Sequence, residues 1–147
     1  MQAVIVREHG GLEALKHEVL PDPKPQAGQV VVRVRACAVN HLDAWLRRGV
    51  PGHRFPLPLI PGNDIAGTVH ALGEGVHDLE PNAEVVIAPG ISCGTCMACL
   101  SGLDHHCPHY ALLGEHRDGG YAEFIYVPRA NVLPKPKELS FDQAASA

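Results

Sequence analysis

Apolar residues come in short blocks broken by glycine and proline, the pattern of a β-rich chain. The strongest block, Val30-Val31-Val32-Arg33-Val34-Arg35-Ala36-Cys37-Ala38-Val39, begins continuously apolar and then alternates, so a strand is expected from Gln29 onward. Further strands are expected over Met1–Arg7, Ala14–Leu20, Ile65–Leu72, Glu84–Pro89, Tyr121–Val127 and Val132–Pro134. Pro21-Asp22-Pro23-Lys24-Pro25 reads as a rigid linker, because its prolines donate to no ladder. Between Asn40 and Gly49 the pattern turns helical. Asn40 suits the cap, Asp43 the positive helix end, Arg47 and Arg48 the last turn, and Gly49 the stop. A proline-rich loop follows from Pro51 to Pro61. Gly73-Glu74-Gly75 reads as a turn, and Asn82 tolerates the left-handed backbone that a turn at Pro81–Glu84 needs. Ser140-Phe141-Asp142-Gln143 has capping-box form. The helix it starts would be short and unpartnered, which is expected of a piece cut near a domain boundary.

Composition narrows the function classes. The 147 residues amount to one domain with a real core. A net charge of -4 with interspersed signs offers no basic face for nucleic acid. No charged-then-apolar leader and no run long enough to span a bilayer are present, so a cytoplasmic chain that does not bind membranes is expected. Cys37, inside the strongest strand, reads as a small buried hydrophobe. His70, His77 and His116 have no evident partners.

The chemistry concentrates between Ile91 and His109, where Cys93-Gly94-Thr95-Cys96-Met97-Ala98-Cys99 is followed by Cys107. Cysteines two residues apart can turn both sulfurs to one centre, and near neighbours seldom reach disulfide geometry. Cys93, Cys96, Cys99 and Cys107 thus read as one closed, structural zinc site. An iron-sulfur run also has this opening and a proline after its last cysteine, like Pro108, but its final gap is shorter. His105, His106 and His109 are alternative ligands beside a complete four-thiolate set.

Along its whole length the chain resembles the amino-terminal, GroES-like half of medium-chain dehydrogenase/reductases, the superfamily of zinc alcohol dehydrogenases and quinone oxidoreductases. The resemblance is carried by Val39-Asn40-His41-Leu42-Asp43, Pro61-Gly62-Asn63-Asp64-Ile65-Ala66-Gly67, Gly73-Glu74-Gly75-Val76, the cysteine lobe over residues 91–109, and Gly119-Gly120-Tyr121-Ala122-Glu123. It implies a mainly β fold, a GroES-like partly open β-barrel with short helices and a four-cysteine zinc lobe. Residues 1–147 would form the substrate-side domain, with a Rossmann cofactor domain beyond residue 147. No G-x-G-x-x-G follows a strand here, since Asp78 stands where Gly73-Glu74-Gly75 needs its third glycine.

In zinc alcohol dehydrogenases a cysteine and a histidine of the first two motifs hold a separate catalytic zinc. Asn40 and Asn63 stand at those positions, and an amide oxygen is a poor zinc ligand. The resemblance therefore implies the branch that transfers hydride from NAD(P)H to quinones, enones or enoyl thioesters without catalytic metal. Most of that branch lacks a cysteine lobe. Asn40, Asp43, Asn63 and Asp64 are the expected catalytic residues, with Asn40 as hydrogen-bond donor. His41, Leu42 and Trp45, with Asn40, would border the nicotinamide and a small-molecule substrate. The expected complement is one structural zinc per chain and NAD(P)H in a full-length homodimer or homotetramer. Two other readings remain open. One is an alcohol dehydrogenase whose zinc ligands have moved to Asp64, His41 or Cys37. The other is a non-enzymatic, zinc-stabilised binding module.

Overall fold

A computed structural model describes residues 1–147. β1 (Gln2–Val6) and β2 (Leu15–Val19) form an antiparallel ribbon in which Gln2 faces Val19 and Val6 faces Leu15. β3 (Gln29–Ala38) is the longest strand and leads into helix α1 (His41–Arg48), after which β4 (Asp64–Leu72) returns beside β3 and β5 (Glu84–Ile87) beside β4. The lobe opens with β6 (Gly90–Ile91), carries a short helix α2 (Met97–Leu100), and closes with β7 (Ala111–Leu112). β8 (Phe124–Pro128), β9 (Val132–Pro134) and helix α3 (Phe141–Ala145) finish the chain.

Five strands make one antiparallel sheet in the order β8-β3-β4-β5-β9. The ribbon curls this sheet toward a barrel. Ala3 bridges to Ala122, Val6 bridges to Leu59, and the Val4 N–H donates to the Tyr121 carbonyl at 2.8 Å. Irregularities between Val31 and Val32 and between Val34 and Ala36 sharpen the bend of β3 against β4. Val30, Val31 and Val32 are fully buried, as a continuous apolar run requires. Val30 and Val32 pack with Ile65, Val69, Val85, Leu113, Ile125 and Val127 in the main core. This is the expected partly open barrel with short helices.

Element boundaries follow the sequence pattern closely, with instructive differences. Residues 12–14 form a helical turn before β2, so that strand starts at Leu15 and not at Ala14. The strand expected from Tyr121 starts at Phe124, because Tyr121 and Ala122 are engaged with β1 instead. Asn82 has φ 67°, the left-handed value its turn requires. The final helix carries the expected capping box on Ser140 and Gln143, yet it is not unpartnered. Ala144 and Ala145 are buried against Ala66, with Leu139 and Phe141 beside them, because alanine side chains are small enough to let the helix approach the sheet closely. No helix is long and apolar enough to cross a membrane.

The tightest strand-to-strand approach is at Gly67, where a β-carbon would stand 2.2 Å from the Arg33 carbonyl oxygen. Backbone cannot yield as a flexible side chain does. Gly67→Ala is therefore expected to destabilise the chain by about 1–3 kcal/mol, the usual cost of overpacking, read as a lowered urea midpoint with an unchanged slope.

Candidate active corner and metal lobe

Three segments meet where β3 gives way to α1. Asn40 caps the helix in extended backbone, its Oδ1 accepting the Leu42 N–H at 3.3 Å. The reciprocal half of the capping box is Asp43, whose Oδ2 accepts the Asn40 N–H at 2.7 Å. The same Oδ2 accepts the Tyr121 hydroxyl at 2.8 Å, and Oδ1 accepts the Gly62 N–H at 2.9 Å. Asp43 is 8% exposed, so a carboxyl group buried within the domain satisfies three donors from three separate segments.

Gly62 is required by its surroundings. Its φ is 95°, and a β-carbon there would lie 2.6 Å from the Tyr121 ring and 2.7 Å from the Cys37 sulfur. Next to it, Asn63 is 8% exposed and its Oδ1 has no hydrogen-bond partner. Asp64, half-buried at the head of β4, accepts the Asn40 side-chain amide on Oδ2 at 3.0 Å. Only one of the two Asn40 amide hydrogens is used in this contact.

The expected catalytic residues are therefore brought together, at different depths. Asn40 is exposed and Asp64 half-buried, whereas Asn63 and Asp43 are buried. His41 and Trp45 lie on the outer face of α1, one turn apart, with ring centroids 5.7 Å apart; Leu42 is half-buried beside them. Trp45 is 52% exposed and Val39 84%, a bare apolar flank beside Asn40. Tyr121 is the residue that sequence reasoning missed. It stood in a recognised motif, but nothing local says that its hydroxyl meets Asp43, 78 residues earlier.

Cys37 lies beneath the corner. Burial first, then the nearby Asp43 and Asp64 carboxylates, push its thiol up to about 12. Burial likewise raises Tyr121, and its hydrogen bond to Asp43 adds to the effect. A catalytic zinc does not fit this corner. The Asn40 amide and Asp64 are hydrogen-bonded to each other, and an amide oxygen is a poor zinc ligand. Cys37, His41 and Asp64 also do not converge. The single group of three or more His, Cys, Asp or Glu side chains whose ligand atoms gather is Cys93, Cys96, Cys99 and Cys107.

In that lobe the ligand atoms all lie within 4.8 Å of one another. The Cys93 and Cys99 sulfurs are 3.9 Å apart, those of Cys96 and Cys99 3.5 Å. Four sulfurs placed about 2.3 Å from a central zinc would stand about 3.8 Å apart, so the set fits the ion. Backbone N–H groups of Cys93 and His109 point at the Cys107 sulfur, each at 3.4 Å. Such donors stabilise a thiolate. All five cysteines are free of disulfides. The His105 and His106 rings lie 4.2 Å apart, tilted by 47°, and with His109 they stand outside the gathered set.

Comparison with known proteins gives the family. The family described as "Alcohol dehydrogenase GroES-like domain" matches residues 26–137. The chain belongs to that family, the amino-terminal domain of the medium-chain dehydrogenase/reductase superfamily. Galactitol 1-phosphate 5-dehydrogenase of Escherichia coli (strain K12) is 32% identical over 143 residues, spanning 96% of this chain and 40% of that protein. The NAD-dependent alcohol dehydrogenase of Sulfolobus acidocaldarius is 35% identical over 150 residues, 99% of this chain and 43% of that one. The crystal structure of an NAD-dependent alcohol dehydrogenase superposes with a TM-score of 0.95 at 51% identity, covering all of this chain and 43% of that protein. The chain thus spans about two fifths of the length of these relatives.

Protonation of the corner has a direction. Cys37 and Tyr121 hold their protons more tightly when folded than an unfolded chain would, so each contributes stability that is complete below its ordinary pKa. That contribution fades as pH climbs from the ordinary thiol value of 9.0 toward about 12. The urea midpoint of the metal-loaded chain is expected to be level between about pH 7 and about pH 9 and to fall above that. Cys37→Ala should shallow the fall; an unchanged alkaline slope would speak against a raised Cys37.

Proposed function

We propose that the chain is the substrate-side domain of an NAD(P)(H)-dependent oxidoreductase that reduces a polarised double bond, in a quinone, an enone or an enoyl thioester, without a catalytic metal. The observation that carries this reading is the hydrogen bond from the Asn40 side chain to Asp64 at the corner where relatives of the zinc type would need ligands. Asp64 orients the Asn40 amide and leaves its second N–H for an incoming oxygen. A nicotinamide held by a partner domain would supply the hydride.

The chain's own residues do the rest. When hydride adds to a conjugated carbon, the electron pair moves to the carbonyl oxygen, and a fixed N–H aimed at that oxygen stabilises the developing charge. Asp43 acts at one remove. It fixes the Asn40 backbone, the Gly62 turn that carries Asn63, and Tyr121, so donor and wall keep their spacing. His41, Leu42 and Trp45, with the bare flank at Val39, would border the nicotinamide and exclude water from it. The four cysteines would hold one zinc that shapes the lobe and takes no part in the chemistry.

The relatives' own names favour a second reading, reversible oxidation of an alcohol or polyol at the same corner. In its zinc-dependent form Asp64, His41 or Cys37 would have to be recruited as ligands. The Asn40–Asp64 pair opposes that form.

Metal analysis of the polypeptide that joins this domain to its nucleotide-binding partner should find one zinc per chain, and a chelator should loosen the lobe. Two firmly held zincs, with alcohol oxidation lost on chelation while the fold persists, would establish the second reading. In the same polypeptide Asn40→Ala is expected to lower kcat/KM for enone reduction by about 10²–10³-fold, the usual loss of an oxyanion donor. Asn40→Asp, which removes the donor and keeps the shape, should lose about as much.

A further inference from the structure

A cavity of about 340 Å³ opens between the end of the β1–β2 ribbon and β8, within the roughly 300–1,000 Å³ range of small-molecule sites. None of Asn40, Asp43, Asn63 or Asp64 lines it, so it is separate from the corner described above. Its floor is Ile60, Leu113 and Ile125, each at most 4% exposed overall, so the space behind the mouth is apolar and prebuilt.

The rim carries the chemical information. Asp22 and Asp118 stand there, and each already has a donor. Asp22 pairs with the Met1 ammonium at 2.5 Å, and Asp118 Oδ1 accepts the Ile60 N–H at 3.0 Å. Arg117 is the exception. Its guanidinium makes no hydrogen bond or ion pair within the chain, although its backbone is fixed by a bridge to Leu113 and by the Gly114 N–H on its carbonyl at 2.7 Å. An exposed, unpaired fork of donors on the lining of an apolar well is complementary to a ligand with an apolar body and one carboxylate.

We propose that this barrel mouth is a second ligand site that takes a small apolar carboxylate, with its tail against Ile60, Leu113 and Ile125 and its carboxylate on Arg117. The assignment does not depend on the reaction proposed for the corner.

Hexanoate is the probe, hexan-1-ol its neutral counterpart, and the readout is calorimetry together with amide chemical shifts of the zinc-loaded polypeptide that joins this domain to its nucleotide-binding partner. Hexanoate should bind with a Kd on the order of 1 mM, and shifts should cluster at Leu20, Ile60, Leu113 and Ile125 while the Asn40 and Asp64 amides stay still. Arg117→Gln should weaken hexanoate about tenfold and leave hexan-1-ol unchanged. Leu20→Trp, which puts bulk at the mouth, should weaken both probes. Should that variant not fold, Arg117→Gln, a change of an exposed side chain, decides alone. The proposal is overturned if hexanoate gives no saturable shift, if it binds no better than the alcohol and ignores Arg117→Gln, or if folded Leu20→Trp binds it undiminished. It is equally overturned if sedimentation shows self-association that buries this mouth and hexanoate does not compete with it.

Discussion

The corner depends on the carboxyl group of Asp43. A buried polar group is tolerated only when its hydrogen-bonding capacity is filled, and here the three donors come from the start of a helix, a glycine turn and a distant tyrosine. Each donor taken singly is an ordinary contact. Together they place three chain segments, remote in sequence, in one arrangement, and Asn40 and Asp64 meet because of it.

Close packing around this group leaves little room for alternatives. Gly119 sits so near the Pro61–Gly62 backbone that a β-carbon on it would fall 2.0 Å from the Gly62 carbonyl oxygen. Gly120 is pressed against Ile65 and the Cys37 sulfur in the same way. The two glycine-rich motifs of the sequence are therefore two sides of one contact, with Cys37 filling the space between them. The thiol is small and protonated, as a filler should be.

What could be read from the chain follows from how far each interaction reaches. The three valines of β3, the Asn40 cap with its Asp43 box and the Ser140 box are local, and their signals lie within a few residues. The cysteine set is also local, because its spacing is itself the chemistry. Tyr121 on Asp43 was not legible, nor was the empty acceptor of Asn63, because both depend on how separate segments close over one another. β6 and β7 were missed for a different reason. Two residues each are too few to show any period, and only the pairing of Gly90 with Leu112 makes them strands. The covering of α3 depended on Ala66, which its own sequence does not announce.

That two-residue ribbon has an architectural consequence. Because Gly90 and Ile91 lie directly across from Leu112 and Ala111, everything from Ser92 to Tyr110 leaves and re-enters the barrel at one doorway. The metal lobe is thus an excursion grafted on a hairpin, and a short turn could close the doorway without asking the barrel to rearrange. Gain or loss of such an appendage would change the outline of the molecule and leave the Asn40 corner where it is.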